Sequence, residues 1–157
     1  MAAPALTITV SAEDPAGVDA LALVAELSAA LAAITGAGGQ ASFDVSDVRG
    51  PRACFALARD ARGHALGCGA LRPIDADVAE IKRMFARPGT RGVGGAVLRH
   101  LEAEAARWGY VALRLSTRLV NARAVAFYER HGYRRIPGYG RYAGSEVSAC
   151  FEKVLRA

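Results

Sequence analysis

The sequence predicts a single α/β domain, on three observations. Residues 78–116 read as strand, glycine-broken loop, long helix and strand, a unit whose length implies parallel pairing with a right-handed crossover. Two apolar runs flank a short turn at 60–63, a hairpin signal that adds antiparallel strands to the same sheet. With 157 residues, 52 % of them hydrophobic, the chain can bury one sizeable core, and no linker divides it, so residues 1–157 are read as one domain.

Taken in order, residues 6–10, LTITV, alternate as a half-buried strand does, and Asp14, Pro15 and Gly17 mark the turn into a helix that runs to about Ile34. Alanine and leucine leave that helix little polar face, so it is either covered or lies beside something that covers it on binding. The glycines at 36–39 end it, and residues 44–51, DVSDVRGP, read as irregular. Strands follow at 53–59 and 64–72, then a turn at 73–77. Residues 78–86 form the central strand, where Glu80, Lys82 and Arg83 interrupt a pattern that should be covered on both faces; buried charge needs a partner or a role. The helix at 93–108 places Val97, Leu98, Leu101 and Ala105 on one face and stops at Gly109. A strand at 111–116 precedes a helix at 122–131, capped by Asn121 and closed by Gly132. Strands at 133–136 and 147–154 flank a loop at 137–146 rich in glycine and tyrosine.

Composition narrows the function. The net charge of +5 comes from arginines scattered along the chain, without the block of like charge that marks a nucleic-acid tail; a polyanionic small molecule fits the same balance. Cys54, Cys68 and Cys150 lie far apart with no metal-ligand spacing, so packed thiols in a reduced compartment are expected, and no metal. His64, His100 and His131 make no site and are expected at the surface. No basic residue precedes an apolar stretch at the N-terminus, and the most apolar segment, 21–34, carries Glu26 and Ser28 and is too short for a bilayer, so a cytoplasmic protein is expected.

The stretch that carries chemistry is 80–96, EIKRMFARPGTRGVGGA. Arg91, Gly92, Gly94 and Gly95 set side-chain-free amides at the first turn of a helix, where unpaired N–H groups and the positive end of the dipole favour an anion such as a phosphate. The loop has no GxxxxGK[ST] and no lysine, and no acidic residue follows at the end of the next strand, so neither a Walker nor a dinucleotide site fits. RGVGGA at 91–96 instead matches the pyrophosphate signature [QR]xxGx[GA] of the GNAT family of acyl-CoA-dependent N-acetyltransferases. NARAVAFYERHGY at 121–133 resembles that family's second signature, and the resemblance covers roughly 68–133. Gly95 departs from it, standing where the family usually has a branched apolar residue; this loosens the first turn by roughly 1 kcal/mol relative to alanine.

The resemblance implies a mixed central sheet with helices on both faces and strands splayed at the cofactor site. Acetyl-CoA would then lie along Met84, Phe85 and Ala86, with its pyrophosphate on Arg91, Gly92, Val93, Gly94, Gly95 and Ala96 and its pantetheine near Asn121. Glu80 stands at the family position of a general base and Tyr128 at that of the general acid that protonates the thiol. The bland alternatives are an ion pair of Glu80 with Lys82 or Arg83, and a core tyrosine. Tyr139, Arg141 and Tyr142 could line the acceptor side, where an arginine suits a carboxylate and thus an amino-acid-like primary amine or a peptide. The expected partners are acetyl-CoA and an amine, with room for a homodimer and with neither nucleic acid nor membrane. A non-catalytic acyl-CoA sensor of the same fold is the alternative to an enzyme.

Overall fold

The computed structural model describes residues 7–155, apart from the side chain of Ser42. Seven strands form one open sheet in the order β1-β2-β3-β4-β5-β7-β6: β1 (Thr9–Ala12), β2 (Cys54–Arg59), β3 (Ala65–Pro73), β4 (Val78–Ala86), β5 (Ala112–Arg118), β6 (Arg134–Ile136) and β7 (Ser148–Val154). Three helices cover it: α1 (Val18–Thr35), α2 (Val93–Arg107) and α3 (Ala122–Arg130). Every strand pairing is antiparallel except β4 with β5, the pair bridged by α2. The first strand starts later than its alternation suggests, at Thr9, and Leu6 lies outside the described residues. The segment read as irregular contains a short 3-10 turn, Val45–Val48, closed by a reciprocal capping box between Asp44 and Asp47.

The two large helices are held very differently. Val93, Val97, Leu98, Leu101 and Ala105 of α2 are all buried, in one apolar cluster with Leu71, Ile81, Leu113 and Phe151. Each such leucine contributes about 1.5–3 kcal/mol through burial. Gly109 N–H bonds to Ala106 O and Tyr110 N–H to Ala105 O, a Schellman ending made possible by the left-handed φ of Gly109. On the opposite face α1 buries Ala20, Leu23, Leu27 and Ser28, while Val18 and Leu21 stay exposed. This helix is longer than the 21–34 segment suggested: 18 residues with mean hydropathy 1.8, enough by length and composition to cross a membrane. Here it is a layer of the fold, its buried stripe packed on Phe55, Leu57 and Cys68.

β4 carries the feature that shapes the rest. Its pairing with β3 runs from Ala79 to Ala86 but slips between Lys82 and Phe85, where three steps on β4 face two on β3. The extra residue is Arg83, with φ 54°, a left-handed conformation that costs a non-glycine residue about 1–3 kcal/mol. Gly69, opposite, lets the bulge close in: a Cβ there would lie 2.5 Å from Met84 Sδ and 2.8 Å from Val97 Cγ1. Cys68 Sγ–H donates to the bulge carbonyl, Arg83 O, over 3.3 Å. The bend shows at once in the neighbouring pair, because β4 meets β5 only from Val78 to Glu80. Beyond that point β4 stays with β3 and β5 stays with β7, and the two diverge.

Candidate active site

The divergence opens a cavity of about 470 Å³ between the α1 face and α3. Glu80, Lys82 and Met84 of β4, Ser116 of β5, Asn121 at the N-cap of α3 and Tyr128 within it line the cavity. The side of β4 turned toward β5 is left without ladder partners from Ile81 onward, so its backbone groups are available to an extended ligand. Met84 faces the cavity; Phe85 and Ala86 pair through their backbones with Cys68 and Gly67 of β3, and the Phe85 ring packs toward α1. These three residues therefore offer a ligand backbone more than side chain.

At the mouth of the gap, α2 begins at Gly92 with φ 73°, and no side chain caps it. An α-helix leaves its first N–H groups unpaired, so the amides of Val93, Gly94 and Gly95 are an uncompensated donor cluster at the positive end of the dipole. Arg91 and Gly92 are exposed beside them, whereas Val93 points into the core. A Cβ on Gly94 would stand 3.3 Å from the Phe127 ring, and one on Gly95 3.1 Å from Arg99 and 3.3 Å from His131. The departure at Gly95 is thus tied to how closely α2 approaches α3. Uncapped amides and an unladdered strand edge suit a diphosphate and an amide-rich arm, so these residues fit acyl-CoA.

Tyr128 is placed by the ending of α3. Gly132 N–H bonds to Glu129 O and Tyr133 N–H to Tyr128 O, which fixes the turn that carries Tyr128, with the Tyr133 ring edge-on at 5.7 Å. Burial pushes the phenol above its ordinary pKa, so the hydroxyl keeps its proton at neutral pH. Asn121 caps the same helix, Oδ1 accepting from Ala124 N–H at 3.3 Å, and its side lines the cavity.

Glu80 is 4 % exposed and three donors converge on it. The Tyr139 hydroxyl donates to Oε2 at 2.5 Å, and Oε1 lies 3.5 Å from Arg72 Nε and 3.7 Å from Lys82 Nζ. Lys82 sits on the same face, two residues on, as the alternation requires. Its ammonium is held below the ordinary lysine pKa, first by burial and against the pull of Glu80. Arg83 does not join the pair: the bulge swings it under α1, and Arg72 takes the place expected of it. Arg72 stands directly opposite Glu80 in the β3–β4 register, so a count outward from the 73–77 turn was the signal that would have found it.

The loop at 137–146 closes one side of the cavity. The Tyr142 ring lies edge-on to Tyr139 at 5.6 Å, and Arg141 Nη1 donates to Ala41 O at 2.9 Å, bridging the loop to the segment after α1. Arg141 and Tyr142 line the cavity; Tyr139 bears on it through Glu80. All three cysteines are buried and free, as packed thiols should be. His64 is at the surface beside Asp60, but His100 and His131 are half-buried, the latter with its ring 4.5 Å from Phe127. Among the described residues no cluster of histidine, cysteine and carboxylates could hold a metal ion.

Comparison with known proteins converges on one family. The acetyltransferase (GNAT) family matches over residues 27–133. A relative named IAA acetyltransferase, from Azospirillum brasilense, is 32 % identical over 152 residues, spanning 94 % of this chain and 98 % of that one. A Klebsiella pneumoniae structure provisionally described as an acyl-CoA N-acyltransferase is 28 % identical, with a TM-score of 0.81 over 94 % of this chain and 97 % of the other. A GNAT family acetyltransferase from Elizabethkingia anophelis with acetyl-CoA bound shares the fold at 16 % identity, TM-score 0.68, over 94 % and 97 % of the two chains. The chain belongs to the GNAT family of acetyltransferases and is an acyltransferase.

Proposed function

We propose that this single-domain protein transfers an acetyl group from acetyl-CoA directly to a primary amine, that of a small amino-acid-like molecule or a peptide. The observation that carries the reading is the parting of β4 and β5 beyond Glu80, beside an uncapped start of α2 and with Tyr128 on its wall. Acetyl-CoA supplies an activated acyl group. Its diphosphate is held by the amides of Val93, Gly94 and Gly95 with Arg91 beside them, and its arm runs along the free side of Met84, Phe85 and Ala86 toward Asn121.

The protein's own groups then divide the remaining work. A backbone N–H of β4 at Met84 or Phe85 polarises the acyl carbonyl. Glu80 accepts the proton of the incoming ammonium through water, and since Tyr139, Arg72 and Lys82 already occupy it, this happens with exchange of one of those donors. Tyr128, kept protonated by its surroundings, donates to the departing sulfur. The relative named for IAA leaves the acceptor of this chain open at 32 % identity. Thiol release from acetyl-CoA, followed across a panel of amines, tests the reading: turnover with some amine that falls in Tyr128→Phe and Glu80→Gln, with acetyl-CoA affinity intact, is the expected result. Rates unchanged in both variants would remove the assigned roles.

A further inference from the structure

We propose that Arg83 is the anion-recognising residue of the acceptor pocket, so that the amine this enzyme acetylates carries a carboxylate. The inference rests on the proposed function above and adds to it the chemical class of the acceptor and the residue that reads it.

Five charged residues line the cavity, and four of them are cations: Lys82, Arg83, Arg118 and Arg141 against Glu80. Lys82 is 3.7 Å from Glu80, while Arg118 and Arg141 are exposed to water. Arg83 differs from all of these. It is 8 % exposed and has no carboxylate within ion-pairing distance among the described residues. Its guanidinium is held by neutral oxygens instead: Nη1 donates to Gly38 O at 3.0 Å, and Nη2 to Val24 O at 3.3 Å and to the Ser28 hydroxyl. Nε–H is buried and has no hydrogen-bond partner among the described residues. Burial alone opposes the charge.

A buried cation without a counter-ion is costly, and a clamp between α1 and the loop after it could have been built from a neutral donor at less expense. The position is also strained, since the left-handed φ at Arg83 is what turns two successive residues, Lys82 and Arg83, toward the α1 side. One uncompensated positive charge matches a monoanion, and Leu27 and Leu31 beside it supply apolar walls. The diphosphate does not fill this role, because it belongs at the start of α2, which packs on the opposite face of the sheet from α1. A carboxylate on the acceptor, engaging the Arg83 guanidinium from the cavity while its amine points toward Glu80, would compensate the charge, and a shift of the side chain would bring the enclosed Nε–H to it as well.

The test compares matched acceptors that share an amine and differ only in charge: α-, β- and γ-amino acids with apolar side groups against their carboxamides, by thiol release from acetyl-CoA. The acids should be preferred roughly tenfold or more in kcat/KM, a preference lost in Arg83→Met and kept in part by Arg83→Lys. A purely structural arginine would lower both members of each pair alike and leave the ratio unchanged, which overturns the proposal while the acetyltransferase reading stands. A second arm needs neither acceptor nor cofactor: in the 15N Nε spectrum of the arginines, the resonance lost in Arg83→Lys should move on titration with propionate. Immobility of that resonance, or movement only of exposed arginines, overturns the proposal independently. Failure of acetyl-CoA itself to bind would instead sink the function on which it rests.

Discussion

The two faces of the sheet are built from the same kinds of residue to opposite ends. On the α2 face, valine and leucine at helical spacing lock against four strands, and the buried cluster extends from Ala56 and Leu71 to Tyr133 and Phe151. On the α1 face the apolar cluster is small, and beside it lie Glu80, Lys82, Arg83 and the cavity. One face stores stability and the other spends some of it on buried charge and a left-handed arginine. The bulge is where the two meet: Met84 packs with the α2 cluster while Arg83 is turned toward α1.

Substitutions on the two faces should therefore separate stability from activity. Leu101→Ala, in the dense face, is expected to lose about 2–5 kcal/mol of unfolding free energy in denaturant titrations. Leu31→Ala, half-buried on the cavity wall, is expected to lose under about 1 kcal/mol and to act on the acceptor KM instead. Equal losses would break the contrast. Next in size is Tyr128→Phe, which deletes the proposed proton donor without emptying the core; kcat should fall about a hundredfold with the melting temperature nearly unchanged. Glu80→Gln should cost roughly tenfold, because Tyr139 and Arg72 can still hold the amide in place while the proposed base is lost.

The smallest effect concerns the cysteines. Burial pushes the Cys54 thiol up to about 11 and that of Cys68 to about 12, from 9.0. The unfolded chain ionises first, so their contribution is full below pH 9 and is lost as pH rises through 9 toward 12. Stability followed by circular dichroism should decline over that window, and native protein at pH 8 should resist thiol reagents that label it rapidly once unfolded. Fast native labelling of Cys68 would show the bulge to be open.

Much of this was legible beforehand. The glycine loop, the spacing of Val97, Leu98 and Leu101, the cap at Asn121 and the endings at Gly109 and Gly132 are local signals, and each lies where local chemistry puts it. The odd charges of β4 also announced themselves at Glu80, Lys82 and Arg83. Which charge meets which was not legible, because that is decided between elements. Tyr139 reaches Glu80 from 59 residues away, and Arg83 leaves the pair because of a bulge that depends on Gly69 and Cys68 on another strand.

In the proposed mechanism the start of α2 holds a diphosphate, so that a thioester lies in the gap beside Tyr128. Calorimetry should compare acetyl-CoA with S-acetylpantetheine, which lacks the diphosphate and the 3′-phosphoadenosine beyond it. Binding of acetyl-CoA roughly a hundredfold tighter than S-acetylpantetheine is the predicted result. Equal affinity for the two, or no binding by acetyl-CoA, would contradict it.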